Sequence, residues 1–523
     1  MRQKRNRGRR ARAGGDSNGA GDGGGEPRGG VQQRPWKLTR NPYPPFDILS
    51  AEQVDAIDRA AMKILAARGL KFHSVDALEV LADNGAQVDF DSGIVQFDTT
   101  VIRKHIAHAP ATFKLHARNP DKSVTIGGDH IVFAPVSGPP NISDLDRGRR
   151  PGVYEDQCNL IRLSHMLNAL HLGGGSSVEA MDLPADTRHL DFYRAQTVLS
   201  DRVWHARAIG RQRVADAIDM VCIANQVSKN ELREQPGLTT VINVNSPLVV
   251  DKEMLAGLSE MTRHGQPTVV TPFTLAGAMS PVTLAGALAQ QCAEALAVLA
   301  FVQMLRPGCP CAFGGFTSNV DMQSGAPAFG TPEYIKGVLA GGQLARYYGL
   351  PYRSSNVNAS NAADAQATYE SAMSLWACFL AHANIVNHAA GWQEGGLCAS
   401  LEKFIIDTEM IQTLCAAFES LTIDDDEFGL DSIAEAGHGG HFFGTAHTMA
   451  RYRNAFYRPL LSDWSNFESW REAGASDATQ RANRIWKQLL ADYREPPLAD
   501  RVVAELDKFI ASRKQDIRRH GVV

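Results

Sequence analysis

Eight short apolar runs recur along the middle of the chain, at 131–135, 170–174, 204–209, 240–244, 268–272, 311–316, 351–356 and 385–389, separated by helix-length amphipathic intervals. Runs of this length with long intervals predict βα units and a parallel sheet. Eight of them predict an α/β fold, a closed (β/α)8 TIM barrel, whose chemistry belongs at the C-terminal ends of the strands. The unusual residues cluster at those ends: Ser137-Gly138, Gly173-Gly174-Gly175-Ser176, Asn243 and Asn245, Phe273, Phe316, Asn356, His388 and Trp392.

The same pattern divides the rest of the chain. Residues 36–130 form an N-terminal α+β layer, 131–421 the barrel, and 422–523 a charged, mostly helical extension. In the N-terminal layer Ser50-Ala51-Glu52-Gln53 is a capping box, and Val54, Ile57, Ala61 and Leu65 follow at helical spacing until Gly69. Residues 88–90 and 94–97, joined by Asp91-Ser92-Gly93, predict a hairpin. Residues 1–35 differ. Arg2 to Arg12 holds seven basic residues and a glycine-rich stretch follows, too poor in apolar groups to order itself. The pair Arg9-Arg10 is not followed by an apolar segment, so an export signal is not expected. No run of about 18 apolar residues occurs, so no membrane span is expected.

A formal net charge of −4 provides no global field for nucleic acid or an anionic membrane. The eight cysteines are scattered through apolar stretches, the pattern of buried reduced thiols and a cytoplasmic location. Cys309-Pro-Cys311 lacks a second pair for zinc. No phosphate-binding loop and no clean dinucleotide fingerprint is present, so neither a nucleotide cofactor nor any tightly bound cofactor is expected. Asp424-Asp425-Asp426-Glu427 lacks the spacing of a calcium loop and predicts a solvated helix start.

Three stretches carry candidate chemistry. Residues 313–333 leave the sixth strand as a long Gly- and Pro-rich loop, closed by Thr331 as N-cap and Pro332 at the first helical position. Asn387, His388, Trp392, Glu394, Gly395 and Gly396 combine a cation-binding aromatic face, a carboxylate and close-approach glycines. His438 and His441, on a glycine-rich loop before His447, offer imidazoles without an acidic third ligand, so no metal site is expected. No nucleophile elbow occurs. Such a pocket binds and orients a small polar or cationic molecule and supplies no strong nucleophile.

In combination, GGFTSNVDMQSGAPAFGTPE, NVNASNAADAQATYESAM, HAAGWQEGGLCASLEKFIIDTEM and GHGGHFFGTAHT resemble the trimethylamine methyltransferase (MttB) family, specifically its bacterial members that lack pyrrolysine. The resemblance implies a TIM barrel that moves a methyl group from a methylated amine to the Co(I) of a separate corrinoid protein. It implies a corrinoid cofactor carried by that partner, and a quaternary substrate such as glycine betaine. Asn245, Phe273, Phe316, Asn356, His388, Trp392, Glu394, His438 and His441 are then the substrate-binding candidates, with Glu394 balancing the ammonium charge. Two other readings remain: a metal-assisted TIM-barrel lyase or hydrolase using His438 and His441, and a non-catalytic quaternary-ammonium binder. The end layers offer contacts for a homo-oligomer.

Overall fold

Seven parallel strands curl into a ring: β1 (His130–Phe133), β2 (Trp204–His205), β3 (Leu238–Val244), β4 (Thr268–Pro272), β5 (Cys311–Gly314), β6 (Tyr352–Ser355) and β7 (Ile385–Asn387). Each pairs with its successor from β2 to β7, and β7 returns to β1. This is a computed structural model, and it describes residues 30–521; of the 1–35 segment expected to be a tail, residues 1–29 lie outside the described residues, while Gln33 donates to the Met166 carbonyl at 2.8 Å and Arg34 pairs with Glu419 at 2.7 Å.

The ring closes through a departure from expectation. Residues 170–174 occupy the place of the second barrel strand without forming one. The His171 N–H donates to the Phe133 carbonyl at 2.9 Å and the Gly173 N–H to the Val203 carbonyl at 2.7 Å, so the segment still bridges β1 and β2. The Phe133 N–H donates to His171 Nδ1 at 3.2 Å, so a side chain replaces part of the ladder. A Cβ on Gly173 would lie 2.7 Å from Gln196 Oε1, and one on Gly175 2.5 Å from Ser137 Oγ. At Gly173 the Trp204 Cβ, 2.9 Å from that position, leaves no room for a side chain.

Strands buried on both faces explain why the apolar runs are nearly continuous; every residue of β4, β5 and β6 is buried. Helix Leu284–Leu305 has a mean hydropathy of 1.5, and 89% of its most apolar stretch is buried inside the protein. A helix that is apolar all round needs cover on all sides. Helices Ala51–Ala67 and Thr99–Ile106 of the N-terminal layer supply the outer cover. Ser50 and Gln53 make the expected capping box, and strands Gln87–Asp89 and Ile94–Gln96 the expected hairpin. Val249–Val250, beyond β3, pairs with Leu70–Phe72 and ties this layer to the barrel mouth. At the other end of the chain, helix Ala478–Asp492 packs on Leu401–Ala417, and Asp500–His520 on Arg211–Asn225. From Val31 onward the chain is one compact unit.

Candidate active site

A cavity of about 630 Å³ opens at the C-terminal ends of the strands. Every strand position contributes. Pro135 and Ser137 follow β1, Gly174 to Ser176 follow the irregular second segment, and His205 to Ile209 leave β2. Asn243 to Ser246, Phe273, Phe316, Arg353, Asn387 and His388 come from β3 to β7. No cysteine or lysine is among the lining residues.

One wall is aromatic. The Phe273 and Phe316 rings lie 5.0 Å apart, and Phe316 meets His388 edge-on at 6.2 Å. Trp392 stacks behind His388 at 5.6 Å and 27°, and Phe329 closes on Trp392 at 5.3 Å. His388 has φ of +55°, a left-handed conformation that turns its ring back over the strand ends, with Nδ1 3.2 Å from Ser355 Oγ. A buried charge relay holds this turn from behind. Lys403 Nζ lies 2.6 Å from Asp407 Oδ1, and Asp407 Oδ2 accepts the Gly391 N–H at 2.8 Å.

The opposite character comes from Arg353. The residue is 2% exposed and forms no ion pair among the described residues, and its guanidinium lies 5.6 Å from the Phe316 ring centroid. Asn387, with its amide oxygen turned inward, accepts from Nε and Nη2 at 3.3 Å each, and Nη1 meets no hydrogen-bond partner among the described residues. Burial lowers the guanidinium pKa to about 10, so it remains charged at neutral pH. Burial, with Arg353 adding its repulsion, lowers His205 to about 4 and holds His388 well below the usual imidazole range. Both imidazoles are therefore neutral. Glu179 is the one carboxylate among the lining residues, and it pairs with Arg207 at 2.9 Å and Arg188 at 3.0 Å. The cavity thus sets a fixed positive charge beside aromatic faces.

The placement of the expected residues is uneven. Asn245, Phe273, Phe316 and His388 line the cavity, and Trp392 backs His388. Asn356 is buried under the floor, donating to the Ala389 carbonyl at 3.0 Å. Glu394 is not brought to the cavity: it is held 2.9 Å from Arg149, so its charge is already matched. His438 and His441 are exposed and do not line the cavity either. Among the described residues no group of three or more His, Cys, Asp or Glu side chains is placed to hold a metal ion.

A sequence profile of the trimethylamine methyltransferase (MTTB) family matches residues 12–518. The chain belongs to the MTTB family. It is 37% identical over 91% of its length to the glycine betaine methyltransferase of Desulfitobacterium hafniense (strain Y51), of which it covers 98%. It is 27% identical to the trimethylamine methyltransferase MttB of D. hafniense (strain DSM 10664 / DCB-2), covering 94% of that protein with 89% of its own length. Its fold matches the crystal structure of the Methanosarcina barkeri monomethylamine methyltransferase MtmB with a TM-score of 0.52 at 10% identity, over 86% of this chain and 88% of that one. As an MTTB member it is a methyltransferase, of a kind that pairs with a corrinoid protein.

Arg353, Arg207, Glu179 and His205 also line the cavity of this MTTB chain, and no motif in the sequence singles them out. Arg353 did leave a signal: an arginine between Tyr352 and Ser354 sits inside a run read as a buried strand, and a buried charge without a function is costly. Glu179 left none, because its loop position is set by the irregular second segment.

Proposed function

We propose that this protein transfers a methyl group from a quaternary amine that carries a carboxylate, of the glycine betaine type, to the Co(I) of a corrinoid held by a partner protein. The observation that carries the reading is Arg353, a buried, carboxylate-free guanidinium facing a cavity whose adjoining wall is aromatic. A guanidinium fork suits a carboxylate bidentately, and the faces of Phe273 and Phe316 suit a desolvated ammonium. A zwitterion satisfies both. A bare cation would be repelled by Arg353.

The chain's own part is positioning. Arg353 and Asn387 anchor the carboxylate, the neutral His205 and His388 add no competing charge, and the aromatic wall turns an N–CH3 bond toward the mouth, where geometry rather than bond-making lowers the barrier. The absence of a thiol or amine from the lining agrees with a nucleophile that arrives from outside. The corrinoid supplies that nucleophile, taking the methyl carbon while the C–N electron pair leaves on nitrogen as a neutral tertiary amine. No proton is needed at nitrogen.

The test is anaerobic. Corrinoid protein is held as Co(I), the enzyme is added, and glycine betaine, tetramethylammonium and trimethylamine are offered separately. Loss of the Co(I) absorption with glycine betaine is expected. In Arg353→Met, kcat/KM for glycine betaine should fall roughly 100-fold, the scale of an unpaired buried charge partner, while tetramethylammonium gains relative to it. Wild-type preference for a bare cation would sink the reading.

A further inference from the structure

Helix Leu284–Leu305 is apolar for most of its length, yet Gln290, Gln291 and Glu294 stand close together on it and are all buried. Buried amides and carboxylates are costly unless they are hydrogen-bonded. Here each takes hold of a loop at the barrel mouth. Glu294 accepts the Ser246 hydroxyl at 2.6 Å and the Leu248 N–H at 2.8 Å, in the loop after β3. Gln290 donates to Glu294 and to the Met279 carbonyl, both at 2.9 Å, and so reaches the loop after β4. Gln291 Oε1 accepts from Thr317 Oγ1 at 2.7 Å, in the loop after β5. Ser246 and Met279 line the cavity.

The Gln291 contact extends one step further. Thr317 and Thr274 stand hydroxyl to hydroxyl at 2.5 Å, and both are buried. A hydroxyl has a single proton to give. Thr317 gives its proton to Gln291, so Thr274 is the donor between the two threonines. Thr274 directly follows Phe273, and Thr317 directly follows Phe316. The bridge therefore ties the two backbones right beside the rings that lie 5.0 Å apart on the cavity wall. Beyond it the two segments stay paired, Leu275–Ala276 with Ser318–Asn319. None of Thr274, Thr317 and Gln291 lines the cavity, so they act on a ligand only through their neighbours.

We propose that Thr274, Thr317 and Gln291 are positioning residues for cation recognition. Their hydroxyl–amide chain fixes the spacing and tilt of Phe273 and Phe316, and thereby the preference for a charged methylated group over a neutral one of the same shape. The inference rests on the reading of these rings as the wall that receives the ammonium group. A wall built from two separate loops keeps one geometry only if the loops are tied, and a chain of buried, mutually satisfied hydrogen bonds is a rigid tie. The geometry matters unequally for the two kinds of ligand. A cation is attracted only while its charge lies over the ring face. The dispersion contact of a neutral methyl group is undirected and survives a small change of tilt.

Isothermal titration calorimetry on the full chain tests this with two ligands, glycine betaine and 3,3-dimethylbutyrate. The second has the same shape and carboxylate but carbon in place of nitrogen, and so no positive charge. The wild type should bind glycine betaine more tightly. In Thr317→Val the ratio of the two Kd values should fall about 5- to 10-fold, within what one well-placed aromatic face contributes, and chiefly through weaker betaine binding. Thr317→Ser keeps the hydroxyl and should restore the ratio. Thr274→Val cuts the same chain from its other end and should reproduce the loss even if Thr317→Val does not fold. A wild-type ratio kept by a folded valine variant, or equal weakening of both ligands, would leave the chain a mere structural support and overturn the inference alone. A wild type that binds both ligands equally would remove the ammonium wall itself, and the function proposed above with it.

Discussion

Arg353 and His388 stand on neighbouring strand ends and divide the cavity's electrostatics between them. Burial acts on both in the same direction, disfavouring charge, but from different starting points. The guanidinium falls only to about 10 and stays charged; the imidazole falls well below its ordinary range and stays neutral. The pH dependence follows with a definite sign. His205 gains a proton only as pH drops through about 4, and Arg353 loses one only as pH rises through about 10. Because a quaternary nitrogen has no proton to exchange, kcat/KM for glycine betaine should be flat between those limits and fall as pH passes the upper one. A steady-state profile against pH checks it; a slope near neutrality would mean a titrating group has been missed. At this scale the sequence was half legible. Phe273, Phe316 and His388 could be placed because an aromatic or imidazole at a strand end is addressed by the strand itself. Glu394 and the His438–His441 loop could not, since nothing in local pattern foretells that Arg149 takes up the one and that the other stands in solvent.

The elements that aim these side chains are held from behind. Helix Leu401–Ala417 carries Lys403 and Asp407 one turn apart, fully buried, and Asp407 grips the Gly391 N–H in the turn between His388 and Trp392. Replacing one member of a buried pair strands the other, at a cost of about 3–5 kcal/mol. Asp407→Asn should therefore lose that much in urea denaturation. Lys403→Met/Asp407→Leu should recover most of it while still relaxing the turn, seen as a raised KM. Equal losses in both would show that the pair contributes only bulk. Periodicity found this helix and the seven regular strands readily, because apolar spacing is a local property. It failed at 170–174, where glycines and the His171 side chain take over hydrogen bonds that a strand would make. There the apolar run reports burial, and burial alone does not specify a ladder.

For the molecule as a whole, the barrel was legible because its eight-fold recurrence spans most of the chain, whereas the ties among its mouth loops were not, since Gln291 and Glu294 stand in sequence inside an apolar helix. One feature of the cavity also bears on how firmly the whole chain is folded. A guanidinium buried beside aromatic rings without a carboxylate partner carries a desolvation cost that opposes folding. Arg353→Met, which should cripple turnover, is then expected to be the more stable protein, by on the order of 1–4 kcal/mol, and to melt at a higher temperature. Saturating glycine betaine should reverse the order, because a ligand at about 1,000 times its Kd adds about 4.1 kcal/mol to the native state that binds it. Paired melting curves with and without betaine would show the crossing. The substrate thus completes the fold as well as meeting the catalyst, and a search for heat-resistant variants of this enzyme would select against the residue it works with.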